Sequence, residues 1–143
     1  MTGLLNVDEE LKNLPAFFAA IPEVLTVFLF GSYGTENQTA LSDIDFAVYF
    51  NKTVDLGEEM VFLSKLSDVL GTDRVDLVNL NKAPVNIQFK ALAEGKLIYE
   101  RNYITTCDYV EKVIGIYQDY AIDLENFYRE YDEALKEAYT GGK

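Results

Sequence analysis

The sequence contains no histidine and only one cysteine, Cys107. Zinc sites are built mainly from cysteine thiolates and histidine imidazoles, so this composition argues against a zinc site. A disulfide scaffold needs at least two cysteines, and nucleophilic catalysis of the Cys-His kind needs a histidine. We therefore interpret Cys107 as an ordinary, partly buried thiol.

Long apolar runs are also missing, because no run approaches the roughly 20 residues that a helix needs to cross a bilayer. The opening residues, MTGLLNVDEELK, have no basic stretch and soon become acidic, which is not the pattern of a secretory signal. We therefore expect a cytoplasmic protein with no membrane association. The length of 143 residues predicts a single domain, 1–143.

Basic residues are scarce, since 12 lysines and arginines face 24 aspartates and glutamates, for a formal net charge of -12. This charge repels nucleic acid and anionic membranes, so direct nucleic-acid binding is disfavoured. It favours a basic protein partner, which an acidic surface would attract. The alternative is that the acidity only aids solubility, and charge alone does not decide between the two.

Hydrophobic periodicity predicts four strands and three helices before residue 101. The strands are Val24 to Phe30, a second ending at Phe50, Arg74 to Leu80 and Lys96 to Tyr99; the helices are Val7 to Ala20, Gly57 to Leu70 and Ala83 to Leu92. Pro15 leaves open a later start of the first helix, with Asn13 as its N-cap. Gly71 and Gly95 are natural helix ends. The pattern predicts an α/β fold, a small mixed β-sheet of about four strands flanked by helices.

The turn after the first strand has the composition of a phosphate-binding turn. Gly31 and Ser32 interrupt the apolar run with two small residues, so a phosphate can approach the backbone N–H groups closely. If a helical turn follows, its free N–H groups add a second anion-binding element. The alternative is an ordinary loop.

Two carboxylates, Asp43 and Asp45, precede the apolar part of the second strand. Residues i and i+2 of a strand point to the same side, so both side chains are predicted to face one point beside the Gly31 turn. Such a pair repels itself unless a cation is bound, and Mg²⁺ prefers oxygen ligands and substrate phosphates. The pattern predicts a metal-nucleotide site. The alternative is that Ser42 and Asp43 form only a cap or a turn.

Asp76 lies in the middle of the apolar third strand. A carboxylate there is costly unless it serves a function, and the neighbouring strand carries Asp43 and Asp45. We predict that Asp76 belongs to the same site. An edge-strand aspartate that faces water is the alternative.

The combination of GS, a fixed interval and SDID on a strand-turn-helix-strand unit resembles the nucleotidyltransferases of the DNA polymerase β superfamily. More closely, the chain is similar to the minimal nucleotidyltransferase (MNT) antitoxins that accompany helical HEPN ribonuclease toxins. The resemblance runs from about Val24 to Tyr99 and includes VDLVNLNKAP at Val75 to Pro84 and EGKLIYER at Glu94 to Arg101.

The resemblance implies a polymerase β-like fold and a protein adenylyltransferase that transfers AMP from ATP to a tyrosine hydroxyl of a cognate HEPN toxin. It implies that Gly31 and Ser32 bind the β and γ phosphates. Asp43, Asp45 and Asp76 would bind two Mg²⁺ ions, and Asp76 would accept the hydroxyl proton. Because the chain has no histidine, a carboxylate is the expected base.

One segment departs from the family pattern. The usual motif continues with a small residue, often a basic one, and Gly, where this chain has Gly34, Thr35 and Glu36. Losing a cation and gaining a carboxylate beside the triphosphate would weaken nucleotide binding unless Glu36 points away. Two alternatives therefore stay open: an inactive antitoxin that acts by binding and occlusion, and a small-molecule nucleotidyltransferase. The small-molecule alternative is disfavoured, because the nucleotidyltransferases that modify small molecules resemble proteins larger than this chain.

The last third of the chain, about 103–139, predicts one long helix. Its apolar positions alternate steps of four and three residues in a heptad seam: Val110, Ile114, Tyr117, Ala121, Leu124, Tyr128, Tyr131, Leu135 and Ala138. Seven of the ten tyrosines follow residue 100, and tyrosine is common at protein interfaces. The seam predicts contact with the toxin or with a second copy of the chain. Packing of the helix on its own sheet is the alternative.

Overall fold

The computed structural model describes residues 5–31, 33, 38–39 and 43–136, except for the side chains at 131 and 135. Ser32, Gly34, Thr35, Glu36, Ser42 and the predicted end of the last helix lie outside the described residues. The helices are α1 (Asp8–Leu11), α2 (Leu14–Ala19), α3 (Leu56–Leu70), α4 (Val85–Glu94) and α5 (Tyr103–Lys136); the strands are β1 (Val24–Phe30), β2 (Ile44–Phe50), β3 (Val75–Asn79) and β4 (Lys96–Glu100).

The four strands form one mixed sheet in the order β3-β2-β1-β4. Strand β1 pairs antiparallel with both β2 and β4, while β2 pairs parallel with β3. The predicted α/β class, the four-stranded mixed sheet and the long C-terminal helix are confirmed. Most element bounds differ from the predicted ones by one or two residues.

The two faces of the sheet carry separate cores, because side chains alternate along each strand. On β2, Phe46 and Val48 pack with Phe18 of α2 and Phe62 of α3. The intervening Ala47 and its neighbours pack on the other face, against α4 and α5. This alternation decides which helices lie beside the functional carboxylates.

The N-terminal segment is two short helices instead of the continuous helix predicted from Val7 to Ala20. Pro15 has no N–H to donate to the carbonyl of Leu11, so one continuous ladder of helical hydrogen bonds is impossible there. The alternative start is the one observed for α2, with Asn13 at the N-cap position and a proline in the first turn, although the Asn13 side chain makes no cap hydrogen bond. Helix α3 ends before Gly71, as predicted, and Gly71 adopts a left-handed conformation with φ of 71°.

The first half of helix α5 is anchored to the sheet and to α4. Thr106 and Thr26 share a buried hydrogen bond, with 3.2 Å between their Oγ1 atoms, and Tyr109 donates to Gln88 Oε1 at 2.8 Å. The ring of Tyr117 stacks on Phe89 with centroids 3.9 Å apart. The buried face is therefore formed by Thr106, Tyr109 and Val113, whereas Ile114 of the predicted seam is exposed. Periodicity missed this face because two of its residues are polar and are satisfied by partners distant in sequence.

Beyond Tyr117 the described apolar side chains of α5 are mostly exposed. Tyr120, Leu124 and Tyr128 continue the spacing of the buried residues with fractional exposures of 39%, 37% and 58%. The same stripe therefore packs on the sheet in the first half of the helix and is uncovered in the second. No described helix is both long and apolar enough to cross a membrane.

Arg101 joins the last strand to the end of α2. Its Nε donates to Val24 O at 2.9 Å, and its Nη2 donates to the carbonyls of Phe18, Ala19 and Ile21 at 3.2, 3.3 and 2.8 Å. These carbonyls belong to the C-terminal turn of α2, to the connection that follows it and to the first residue of β1. One guanidinium therefore bonds several carbonyls of the α2 end and the connection that follows, two of which, Phe18 O and Ile21 O, also accept a backbone hydrogen bond.

We predict that Arg101→Met lowers the free energy of unfolding by about 2 to 3 kcal/mol, because hydrogen bonds to a charged donor are lost while the stem is preserved. Urea denaturation measures the change. The matched control is Lys52→Met, which removes only an exposed ion pair with Glu58 and should have little effect. Equal stabilities of the two variants would contradict the anchoring role of Arg101.

Candidate functional site

The described residues of the predicted site, Gly31, Asp43, Asp45 and Asp76, lie at one end of the sheet. Gly31 follows the last residue of β1, Asp43 precedes β2, and Asp45 is the second residue of β2. Asp45 pairs with Phe30 of β1 on one side and with Asp76 of β3 on the other. The end of β1 and the starts of β2 and β3 therefore share one edge, where the turn and the acidic side chains were predicted to meet.

Asp45 and Asp76 occupy the same face as well as the same level of the sheet. They are register partners on neighbouring strands, and side chains at paired positions project from the same face. Along β2 this face continues with Ala47, which packs against the α4 and α5 side. The site thus opens at the end of that face, with Asp45 half-buried and Asp76 exposed.

Gly31 lies directly against the Asp45 carboxylate. A Cβ at this position would collide with Oδ2 of Asp45, and the residue has φ of 93°, which disfavours any residue with a side chain. Glycine is therefore favoured here for two reasons, the positive φ and the close approach of the Asp45 carboxylate. The close approach places the backbone of the predicted phosphate turn beside the carboxylate.

The electrostatics of this edge favour a bound cation. Burial raises the pKa of Asp45 above its ordinary value, and the negative charges of Asp76 and Asp43 raise it further. A hard divalent cation would offset this repulsion and lower the pKa again. All three side chains present oxygen ligands, which suit Mg²⁺.

The described side chains are not drawn together around one point. Asp43 Oδ1 lies 3.6 Å from Arg74 Nε, and Asp76 Oδ1 accepts a hydrogen bond from Leu77 N at 2.8 Å. Within the described ranges, no three histidine, cysteine or acidic side chains form a ready metal cluster. Asp43, Asp45 and Asp76 are the residues that could hold a metal, by side-chain rotation, and their convergence stays a prediction.

Two residues at this edge were missed by sequence reasoning. Arg74 faces Asp43 and also accepts a hydrogen bond from Ile44 N at 3.0 Å through its carbonyl. Its position two residues before Asp76 was a usable signal, because i and i+2 share a side of a strand. Tyr33, two residues after Gly31, gave no periodic signal, because its hydrogen-bond partners lie near the N-terminus.

The chain matches the model of the family described as Polymerase beta, Nucleotidyltransferase over residues 12–104. It is 35% identical over 79 residues to the protein adenylyltransferase MntA of Shewanella oneidensis, a match that covers 55% of this chain and 56% of the relative. The aligned segment thus spans little more than half of that relative.

Solved structures resemble the chain over most of its length. A crystal structure described as a toxin-antitoxin with AMP-PNP has a chain that is 28% identical, with a TM-score of 0.70, covering 89% of this chain and 98% of that one. A second is a complex of the tri-AMPylated Shewanella oneidensis HEPN toxin with an MNT antitoxin, at 24% identity and a TM-score of 0.69, covering 88% and 98%. The second likeness shows the fold alone. Since the family model matches well over half of the sequence, the chain belongs to the polymerase beta nucleotidyltransferase family.

Proposed function

We propose that this protein is an Mg²⁺-dependent protein adenylyltransferase antitoxin that transfers AMP from ATP to a tyrosine hydroxyl of a HEPN ribonuclease toxin. The observation that supports it most is the pairing of Asp45 with Asp76 beside the close approach of Gly31. Family membership supports nucleotidyl transfer, and the relatives named as an adenylyltransferase and as a toxin-antitoxin with AMP-PNP support the substrates. Because ATP is consumed, we place the reaction in the cytoplasm.

The nucleotide would lie across the end of the sheet that carries Gly31, Asp45 and Asp76, extending from β1 towards β3. The backbone at Gly31, together with Ser32, would hold the β and γ phosphates, because free N–H groups favour anions. Asp43, Asp45 and Asp76 would hold two Mg²⁺ ions. Bound there, the metal supplies neutralisation of the triphosphate charge and lowers the pKa of the acceptor hydroxyl.

Asp76 is the proposed base. It belongs to the strand on the far side of β2 from the Gly31 turn, so an acceptor would approach from the β3 side. The tyrosine oxygen attacks the α-phosphorus, the bond to the β-phosphate oxygen breaks, and pyrophosphate leaves. The hydroxyl proton goes to the Asp76 carboxylate. The chain has no histidine that could take this role.

The uncovered half of α5 is the proposed docking surface for the toxin. Its apolar stripe, defined by Tyr120, Leu124, Phe127 and Tyr128, is exposed. Acidic residues flank the stripe on both sides: Asp119, Asp123, Glu125, Glu130, Asp132 and Glu133. The same stretch has two basic residues, Arg129 and Lys136. A second copy with the same charge would be repelled, whereas a ribonuclease surface that binds RNA is basic. Charge therefore favours the toxin over a homodimer.

Neutralisation by occlusion alone is the second candidate. It is supported by the acidic side chains not forming a ready metal cluster within the described residues, and by Asp43 facing Arg74. It needs only the docking surface on α5. The following experiments separate the two candidates.

We predict that Asp45→Asn abolishes AMP transfer while raising the melting temperature near pH 7. The raised pKa means that ionised Asp45 costs stability: its contribution is favourable below the ordinary pKa of about 3.9 and is lost as pH rises through the folded-state value. The gain should therefore shrink as pH falls. Transfer is measured with labelled ATP and toxin, and Asp68→Asn on α3 is the control. An Asp45→Asn variant with normal transfer would exclude the proposed site.

Binding of ATP should require a divalent cation. We expect Mg²⁺ to tighten ATP binding relative to EDTA in calorimetry, because the carboxylates repel a triphosphate unless a cation is present. Equal affinity with Mg²⁺ and with EDTA would contradict the metal assignment and favour occlusion.

We predict that Gly31→Ala greatly weakens ATP binding, because the added methyl group collides with Asp45 and a left-handed alanine costs about 1 kcal/mol or more. Gly71→Ala is the matched control, since it has the same sign of φ but meets no atom within 4 Å. Both variants should lose some stability, whereas only Gly31→Ala should lose nucleotide affinity. A similar loss of affinity in both would make the effect one of backbone strain.

We predict that the double variant Leu124→Ser, Tyr128→Ser weakens toxin capture by about tenfold or more while ATP binding stays unchanged. The control is Ile122→Ser, an apolar residue that is 56% exposed and lies off the stripe. Capture is measured by surface plasmon resonance with purified toxin. Equal affinities of the double variant and the control would remove α5 from recognition.

A further inference from the structure

The N-terminal segment, residues 5–8, is hydrogen-bonded to two described residues of the connection between β1 and β2, Tyr33 and Gln38. Val7 N donates to the Tyr33 hydroxyl at 2.9 Å, and that hydroxyl donates to Asp8 Oδ1 at 2.7 Å. Farther along the connection, Gln38 Nε2 donates to Leu5 O at 2.8 Å. The phosphate turn is therefore tied to a segment more than 20 residues away in sequence.

The tie through Tyr33 is specific and partly protected from water. The phenol uses its hydroxyl as donor and acceptor at once, and its ring packs against the core that contains buried Val7. Burial raises the pKa of Tyr33, so the hydroxyl keeps the proton that it donates to Asp8. Asp8 and Tyr33 also line a cleft of about 310 Å³ that reaches Gly31.

The position of this tie bears on nucleotide binding. Tyr33 follows Gly31 by two residues, and Gly31 is the residue in close approach to Asp45. A turn that is ordered before the ligand arrives binds more tightly than one that must be ordered on binding. Holding Tyr33 therefore limits the positions that the Gly31 backbone can take relative to the carboxylate.

We propose that Tyr33 is a positioning residue for ATP, and that residues 5–8 form a brace that keeps the Gly31 turn in its nucleotide-receiving conformation. This inference rests on the proposed function, because it concerns the same nucleotide site. The hydrogen bonds described for Tyr33 join it to Val7 and Asp8, and in this proposal it does not touch the reacting atoms. Its loss should therefore act on nucleotide affinity and leave the chemical step intact.

The test is Tyr33→Phe in the full chain, which removes the hydroxyl and keeps the ring. We expect the Kd and KM for Mg²⁺-ATP to rise about tenfold, as for the loss of one hydrogen bond to a charged acceptor, while kcat stays unchanged. Asp8→Asn keeps an acceptor oxygen and should restore most of the affinity that Asp8→Ala loses. Tyr103→Phe, at an exposed tyrosine of α5, is the matched control and should change neither constant.

Gln38→Ala removes the second tie and should raise the KM for ATP by a smaller factor. A fall in melting temperature of Tyr33→Phe with an unchanged KM would show a merely structural role and overturn the proposal. An unchanged KM with unchanged stability would overturn it too. If the unaltered protein binds no Mg²⁺-ATP, the proposed function itself is wrong. This outcome is measured without any substitution, so it is distinct from a failure of the Tyr33 proposal alone.

Discussion

The close approach of the Gly31 backbone to the Asp45 carboxylate is the constraint on which the site depends. It holds only because β1 and β2 are antiparallel neighbours, so that the end of one meets the start of the other. The parallel pairing of β2 with β3 then brings Asp76 to the same level. A shift of one residue in either register would move the paired side chains to opposite faces. The core residues that fix these registers therefore also position the functional ones.

The carboxylates at this end of the sheet are unfavourable for stability, because their charges repel one another and Asp45 is partly buried. The raised pKa of Asp45 shows that burial and the neighbouring carboxylates make its ionised form unfavourable, and Arg74 is the described cation that faces Asp43. Such a cluster would be replaced by neutral residues if stability were the only requirement. Under the proposed function, a cation with bound phosphates would stabilise these carboxylates beside the Gly31 turn. The same bound cation would then compensate both the burial of Asp45 and the repulsion between the carboxylates.

Much of this arrangement could be predicted from the sequence, because it depends on local patterns. Alternation predicted the strands, and Gly71 predicted the end of α3. Asp43 and Asp45 lie at the start of the second strand, as their sequence positions indicated, whereas the convergence of their side chains stays a prediction. The fold follows from such patterns together with a family resemblance. The prediction of Asp76 at the same edge depended on the guess that its strand neighbours β2, which the topology confirms.

What could not be predicted depends on contacts between residues distant in sequence. Tyr33 finds its partners about 25 residues earlier, and Arg101 binds carbonyls about 80 residues earlier, so no window of local sequence contains either contact. The buried face of α5 was misassigned for the same reason. Thr106 looks polar in the sequence, yet it is buried, with its hydroxyl bonded to Thr26 and to the carbonyl of Asn102. Long-range hydrogen bonds override hydropathy at such positions.

The length of α5 follows from its two different environments. An isolated helix of this composition would be marginal in water, because helix nucleation is costly and most helical stability comes from packing. Here the first half packs on the sheet and on α4, so each further residue needs only to extend a helix that is already stabilised. The second half therefore projects as an ordered continuation, and its exposed stripe keeps the direction imposed by Tyr109 and Val113. A partner that binds this stripe would meet a surface whose orientation relative to the carboxylates is already set, so the brace at Tyr33 and the anchoring of α5 would each reduce the ordering that remains when the complex forms.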